Sequence, residues 1–186
     1  MSQRIRVTPK NVENYFYLEN LTSEKPPGFF ECPIAEYNDY LFLDAIRSLK
    51  DHIAKTWLLR EKKTGEIAAY MSLIMDAIKL SATEKELHNL NYPFKTIPSM
   101  KIAKLAVDGD FSKRYKGIGS FMIDAAEIKA ADCNDNYCAA RFLTVDADIE
   151  HDAGVFAFYE KNGFIPNAEL FNKNRKTVSM RKDIYT

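Results

Sequence analysis

Apolar and polar positions alternate with clear periods over most of the chain. Residues 1–28 are mixed, with one short strand-like piece at Tyr15–Leu18, and they end in the break Ser23-Glu24-Lys25-Pro26-Pro27-Gly28. From Ala35 to Ala54 the apolar positions Leu41, Phe42, Ala45, Ile46, Leu49 and Ile53 recur at helical spacing, with Arg47, Lys50 and Asp51 opposite, which predicts an amphipathic helix behind Pro33. Thr56–Lys62 and Ile67–Met75 are rich in strand formers, and Lys63-Thr64-Gly65 between them suits a short hairpin loop. Residues 77–97 hold a helical piece, Ala82–Leu90, then Asn91-Tyr92-Pro93, and read as an insertion placed to shape a substrate mouth.

The second half repeats the alternation of strand and helix. Lys101–Val107 reads as a strand, and Ile118, Phe121, Met122, Ala125 and Ile128 put one apolar face on a helix from Gly117 to Ala131. Ala140–Val145 shows little alternation, the pattern of a strand covered on both faces, so it is expected at the centre of a sheet and parallel to the strand before it. Asp152–Lys161 predicts a short helix stopped by Asn162-Gly163, Phe164-Ile165 opens a further strand, and Thr177–Arg181 is the last. No internal repeat or low-complexity linker interrupts the 186 residues, which predicts one α/β domain over 1–186.

Composition narrows the partners. Lys+Arg and Asp+Glu balance at 26 each, so nothing global favours nucleic acid or an anionic membrane. Cys32, Cys133 and Cys138, with His52, His88 and His151, lack metal-ligand spacing, so neither a zinc site nor a disulfide framework is expected. The histidines at 52 and 88 read as surface or packing residues. No apolar stretch approaches a membrane span, and Met1–Arg6 lacks the apolar core of a signal peptide; the reducing cytoplasm is the expected compartment.

The candidate chemistry lies at Arg114-Tyr115-Lys116-Gly117-Ile118-Gly119-Ser120, between the strand ending at Val107 and the helix from Gly117. Two glycines let the backbone turn sharply and approach a ligand. The unpaired amides of the helix's first turn sit at the positive end of its dipole. Lys113, Arg114 and Lys116 surround the same point, which suits a pyrophosphate better than one carboxylate. The pattern completes neither Gly-x-Gly-x-x-Gly nor a P-loop.

Three pieces stand in a fixed order: Leu105-Ala106-Val107-Asp108, Arg-x-x-Gly-x-Gly at 114–119, and Phe158-Tyr159-Glu160-Lys161-Asn162-Gly163-Phe164. Together they resemble the GNAT superfamily of acetyl-coenzyme A dependent N-acetyltransferases, whose Arg/Gln-x-x-Gly-x-Gly/Ala hallmark is met without substitution over a likeness spanning roughly residues 35–182. The resemblance implies a central, mixed, mostly antiparallel sheet of six or seven strands flanked by helices. It also implies acetyl transfer from acetyl-coenzyme A to a primary amine, with no metal, in a protein whose relatives are commonly homodimers. A closer, partial likeness runs to the tRNA-acetylating toxins, through Phe30-Glu31-Cys32, Leu105–Asp108, Val145-Asp146-Ala147 and Phe158-Tyr159. Those toxins usually carry Gly after the Cys and a Leu-Asp pair further on, where this chain has Pro33 and Tyr37-Asn38, and they tend to be basic. Aminoacyl-tRNA therefore stands second to an unspecified amine as acceptor.

By the same resemblance, the backbone of Leu105, Ala106 and Val107 pairs with the pantetheine amides and aims one N–H at the thioester carbonyl. The amides of Tyr115, Lys116, Gly117, Ile118, Gly119 and Ser120, with Arg114, hold the pyrophosphate, and Lys113 and Lys116 reach the outer phosphates. Tyr159, with an ordinary phenol pKa of about 10, protonates the departing thiolate. Many relatives place an Asn seven residues before that Tyr to help bind the cofactor; here it is Asp152. Asp146, Asp148 and His151 are the candidates for a base, unless Asp148–Asp152 is only a polar helix start. The stretch Lys173–Lys182, with Lys173, Arg175, Lys176, Arg181 and Lys182, reads as a solvated edge strand first and a phosphate-facing stripe second.

Overall fold

The structure, a computed structural model, describes residues 4–167 and 176–185. Its strands are β1 (Ile5–Arg6), β2 (Phe16–Asn20), β3 (Lys55–Glu61), β4 (Ile67–Lys79), β5 (Thr96–Val107), β6 (Tyr115–Lys116), β7 (Phe142–Asp148), β8 (Ile165–Pro166) and β9 (Thr177–Asp183). The helices are α1 (Ala35–Asp39), α2 (Ala45–Lys50), α3 (Ala82–Leu87), α4 (Gly109–Arg114), α5 (Ile118–Asn136) and α6 (Val155–Lys161). Seven strands form one sheet in the order β2-β3-β4-β5-β7-β9-β8, and β1 pairs with β6 in a separate parallel ladder. The pairs β2/β3, β3/β4, β7/β9 and β8/β9 are antiparallel. This is the α/β architecture with a seven-stranded, mostly antiparallel sheet and flanking helices that the sequence leads one to expect, with the 140–145 run between β5 and β9 as a central strand.

By contacts the chain divides into two units, Met1–Ile74 with Ile102–Ala126 and Met75–Lys101 with Glu127–Thr186, so that β4, β5 and α5 each contribute to both. In the first unit, the hairpin between β3 and β4 turns through Gly65, whose φ of +75° explains the glycine. The predicted helix from Ala35 is interrupted by a π-helical turn at Tyr40–Asp44, closed by the Ala45 N–H on the Tyr40 carbonyl, and the helix ends at Lys50. A π turn adds a residue and rotates the side chains after it. Leu41 and Ala45 are fully buried, whereas Phe42, inside the π turn, is 43% exposed, and Ile53, expected on the apolar face, lies past the end of the helix and is 67% exposed. Leu41 and Ala45 join Leu21, Phe30, Leu58 and Tyr70 in the core of this unit, each fully buried Leu stabilising it by about 1.5–3 kcal/mol.

In the second unit, residues 77–97 are not an add-on. β4 continues to Lys79, and Ile78, Leu80 and Ile97 pack on Phe142 as a buried cluster. Helix α3 begins with a capping box in which Ser81 Oγ accepts the Glu84 N–H (3.2 Å) and Glu84 Oε2 accepts the Ser81 N–H (2.9 Å). The other Glu84 oxygen takes Arg181 Nη1 at 2.7 Å. His88 Nε2 accepts from Arg181 Nε (3.4 Å), which leaves its Nδ1–H to donate to Asp183 Oδ2 (2.9 Å), and Arg141 Nη2 reaches the same oxygen at 2.7 Å. His88 is therefore a packing histidine, as read from sequence, but one built into a buried polar network.

Helix α5 also differs from its predicted face. Ile118, Met122 and Ala125 are buried as expected, Ile128 is 64% exposed, and Ile123, Ala126 and Ala130 are buried instead. Alanines occupy inward positions that a pattern weighted toward large side chains passes over.

Candidate functional site

Strand β5 ends in Leu105-Ala106-Val107, of which Ala106 is buried and its two neighbours half-buried. Asp108 then ties three segments together. Its Oδ1 accepts the N–H groups of Asp110 (2.9 Å) and Phe111 (3.2 Å), its Oδ2 accepts the Glu31 N–H (2.9 Å), and its own N–H donates to the Ala68 carbonyl (2.9 Å). This is an N-cap, and the stretch between the strand ending at Val107 and the helix from Gly117, where the periodicity marks no element, begins as the six-residue helix α4. The signal was present in Asp108-Gly109-Asp110, ahead of Phe111.

After α4, β6 lies parallel to β1, with Tyr115 opposite Ile5 and Lys116 opposite Arg6, and the Val7 N–H donates to the Lys116 carbonyl at 2.8 Å. The chain then turns at Gly117, whose φ is +92° and where an added Cβ would lie 2.6 Å from the Val7 carbonyl oxygen. Only glycine fits there. The second glycine, Gly119, lies within the first turn of α5, so the sharp turn requires only the first of the pair. The Phe121 N–H donates to the Gly117 carbonyl (2.9 Å), which starts the helix. The amides of residues 118–120 are the orphan donors of a 19-residue helix. Ile118 is buried, and Gly119 and Ser120 are half-buried.

The three cations of the motif are not equivalent. Arg114 donates to Glu61 Oε1 at 3.0 Å and lies 4.1 Å over the Phe111 ring. Lys113 pairs with Asp110 at 2.9 Å. Lys116 is exposed and has no partner among the described residues. Tyr115 turns its side chain inward: the ring meets Phe16 at 4.9 Å, the hydroxyl donates to Glu61 at 3.2 Å, and burial followed by the nearby carboxylate pushes the phenol above its ordinary pKa. A cavity of about 440 Å³ includes Phe29, Glu66, Asp108, Asp110, Lys113 and Arg114 in its wall. Its acids outnumber its cations, so it lacks the positive field an anion requires.

One residue next to the Leu105–Val107 strand escapes sequence reading. The Lys104 ammonium lies 4.6 Å from the Tyr37 ring centroid and 5.9 Å from that of Tyr40, and Tyr40 stacks on Tyr70 at 6.2 Å. The Tyr70 hydroxyl donates to the Tyr37 carbonyl (2.8 Å), and burial pushes its pKa well above the ordinary phenol value. Lys104 makes no ion pair among the described residues, so its contacts there are aromatic. Asn38, at the position where the toxin likeness weakens, exchanges two hydrogen bonds with the backbone of Cys32, at 2.9 and 3.0 Å.

Within the second unit, Tyr159 sits on α6, 7% exposed, its ring 5.2 Å from Phe158 and 5.3 Å from Phe164. The helix stops in a Schellman turn: the Phe164 N–H reaches the Tyr159 carbonyl (3.0 Å), the Gly163 N–H reaches that of Glu160 (2.9 Å), and Gly163 takes φ +86°. The Tyr-x-Lys-x-Gly-Phe run is thus a helix end that fixes the Tyr159 ring between two phenylalanines. Among the base candidates, Asp146 pairs with Lys101 at 2.6 Å and Asp148 with His151 Nδ1 at 2.8 Å. Asp152 accepts the Gly154 N–H at 2.8 Å as a turn residue.

The basic stretch near the C-terminus does not form a free stripe among the described residues. Lys173 and Arg175 lie outside them, Lys176 pairs with Glu150 (3.0 Å), Lys182 with Glu127, and Arg181 is 1% exposed in the network with Glu84. Among the described residues there is no group of three or more His, Cys, Asp or Glu placed to hold a metal, and no helix is long and apolar enough to cross a membrane.

No family model matches the chain, and no curated protein matches it. Solved structures do. AtaT complexed with acetyl-methionyl-tRNAfMet superposes with a TM-score of 0.70 at 20% identity, covering 88% of this chain and 93% of that one. AtaTR bound with AcCoA gives 0.68 at 21% identity over 90% and 94% of the two chains. A structure named only as a bacterial toxin gives 0.75 at 16% identity over 91% and 90%. At such identities the likeness establishes the fold, and it is the GNAT fold expected from the sequence.

Proposed function

We propose that residues 1–186 form a single acetyltransferase domain that moves the acetyl group of acetyl-coenzyme A directly to a primary amine. The observation that carries this reading is the turn at Gly117. It presents the first-turn amides of α5 and Lys116, unpaired among the described residues, at the end of a strand, α4, β6 sequence, in a fold shared with AtaTR bound with AcCoA. The amides of Lys116–Ser120 take the pyrophosphate, whereas the Tyr115 N–H is given to the Phe111 carbonyl at the end of α4. Lys116 supplies the charge that Arg114 and Lys113, already paired with acids, supply less. The backbone of Leu105, Ala106 and Val107 binds the pantetheine and polarises the thioester carbonyl. The amine attacks that carbon, the C–S bond breaks, and Tyr159 gives its proton to the thiolate, while the proton of the amine passes to solvent or to a carboxylate near the end of β7. No metal takes part in this scheme. The protein is proposed to act in the cytoplasm as a homodimer, which sedimentation would test.

A second reading, the amino group of aminoacyl-tRNA as acceptor, is favoured by one observation. Lys104 lies half-buried over Tyr37 and Tyr40 with no acid paired to it among the described residues, and a cation beside aromatic faces suits a phosphate next to a base. The fold is also that of AtaT complexed with acetyl-methionyl-tRNAfMet. The balanced net charge and the internal pairing of the C-terminal cations weigh against it. Thiol release from acetyl-coenzyme A, followed across a panel of amines, protein N-termini and aminoacyl-tRNAs, decides the acceptor. Release with none of them, together with no binding of coenzyme A in calorimetry, would overturn the assignment.

A further inference from the structure

The sulfurs of Cys133 and Cys138 stand 3.3 Å apart, and both residues are free thiols. They lie where α5 ends in a turn held from several sides. The Cys133 carbonyl accepts the N–H groups of both Tyr137 and Cys138 at 2.9 Å, and the Asn134 side chain bonds both the N–H and the carbonyl of Ala140. The backbone between the two cysteines is therefore already folded so that their side chains meet. A disulfide needs its sulfurs about 2.05 Å apart, a distance that side-chain rotation supplies when the partners start in van der Waals contact. Cys138 is exposed and Cys133 partly so. The third thiol, Cys32, is buried and donates to the Ile34 carbonyl at 3.3 Å.

We propose that Cys133 and Cys138 form an oxidation site, a dithiol that a small disulfide of the glutathione type converts into an intramolecular disulfide. The exposed Cys138 thiolate attacks one sulfur of the oxidant, its S–S bond breaks, and one small thiol leaves. Cys133 then loses its proton to solvent, attacks the Cys138 sulfur and expels the second small thiol. The protein loses two electrons and two protons, and the oxidant disulfide becomes two thiols. The order follows from the surroundings. Burial, then the hydrogen bond to Cys138, hold the Cys133 thiol above its ordinary pKa, so it serves as the resolving rather than the attacking sulfur. Cys32, enclosed in the core of the first unit, stays reduced.

The test uses the full chain, reduced, desalted and then incubated with glutathione disulfide. Alkylation of the unfolded product with mass measurement should show the free thiols falling from three to one, with no glutathione retained and one linked peptide containing residues 133 and 138. Cys133→Ser removes the resolving sulfur from a half-buried position in the last turns of α5, and it should retain about tenfold more glutathione on Cys138 than the unaltered chain does. Circular dichroism checks that the variant is folded. Glutathione persisting on Cys138 of the unaltered chain would overturn the proposal. So would three free thiols remaining under conditions that oxidise a reference dithiol peptide, or linkage through Cys32.

Discussion

Residues 113–120 of the first unit and 176–183 of the second carry similar runs of cations, and a comparison of the two shows how the proposed binding stretch differs from a structural knot. In the first, Lys113 and Arg114 are paired, but Lys116 and the opening amides of α5 remain for a ligand. In the second, Arg181 is enclosed by Glu84, Asn167 and His88, Lys182 reaches Glu127, and Asp183 gathers His88, Arg141 and the Tyr185 N–H. A buried cation must satisfy its donors within the protein, because leaving them unpaired is costly. A site does the opposite and holds donors in place without partners. Charge in a sequence does not distinguish these cases; the competition for each donor does.

The largest effect should come from breaking the structural side. Arg181→Ala leaves the Glu84 carboxylate and Asn167 without their buried partner, and urea unfolding should show a loss of about 3–5 kcal/mol. Coenzyme A affinity of the fraction that stays folded should not change; a parallel loss of affinity would mean that the two stretches are not separate in function. On the site side, Tyr159→Phe keeps the ring between Phe158 and Phe164 and removes only the hydroxyl, so turnover should fall by roughly a hundredfold, about 2.7 kcal/mol, at nearly unchanged stability and coenzyme A affinity. Wild-type turnover in that variant would remove the acid role. Gly117→Ala places a Cβ against the Val7 carbonyl in a left-handed backbone. It should cost about 1–3 kcal/mol of stability and weaken coenzyme A binding in calorimetry, whereas Gly117→Glu should abolish binding. Lys116→Ala should weaken coenzyme A binding by only a few-fold, and Lys113→Ala by less, since its ammonium is shared with Asp110. Equal effects of the two would erase the distinction drawn between paired and unpaired cations.

The smallest expected effect is one of pH. Burial alone would raise the pKa of Asp183, but the Tyr185 N–H, Arg141 and His88 outweigh it and hold the carboxyl below its ordinary value. A group whose folded pKa is depressed stabilises the fold above its unfolded pKa, about 3.9, and loses that contribution as pH falls through the folded value. Unfolding free energy should therefore decline below about pH 4. Asp183→Asn should be less stable at neutral pH and show a flatter decline on acidification, measured by denaturant titration at several pH values.

Most elements were legible because their causes are local. Periodicity marked the β3–β4 hairpin, the helix before it and β7, and Asn162-Gly163 marked the stop of α6, since a glycine at positive φ closes a Schellman turn whatever lies beyond it. The order of Leu105–Asp108, Arg114–Gly119 and Phe158–Phe164 was enough to indicate the fold. Other features depend on contacts far apart in the chain. The reason Gly117 must be glycine is the Val7 carbonyl, 110 residues earlier. Lys104 gains its tyrosines only when α1 and the π turn pack against the sheet, and residues 77–97 become integral only through Arg181 and Asp183. Even the cysteine pair, close in sequence, was invisible to spacing rules, because the turn that joins the two sulfurs is completed by Asn134 holding Ala140. The sequence by itself determined where most of the strands and helices lie, and it marked Gly117 and Gly163 as places where the chain turns. Only the tertiary structure decided which polar groups are consumed by the protein and which are left to act, because that depends on every donor and acceptor that folding brings within reach.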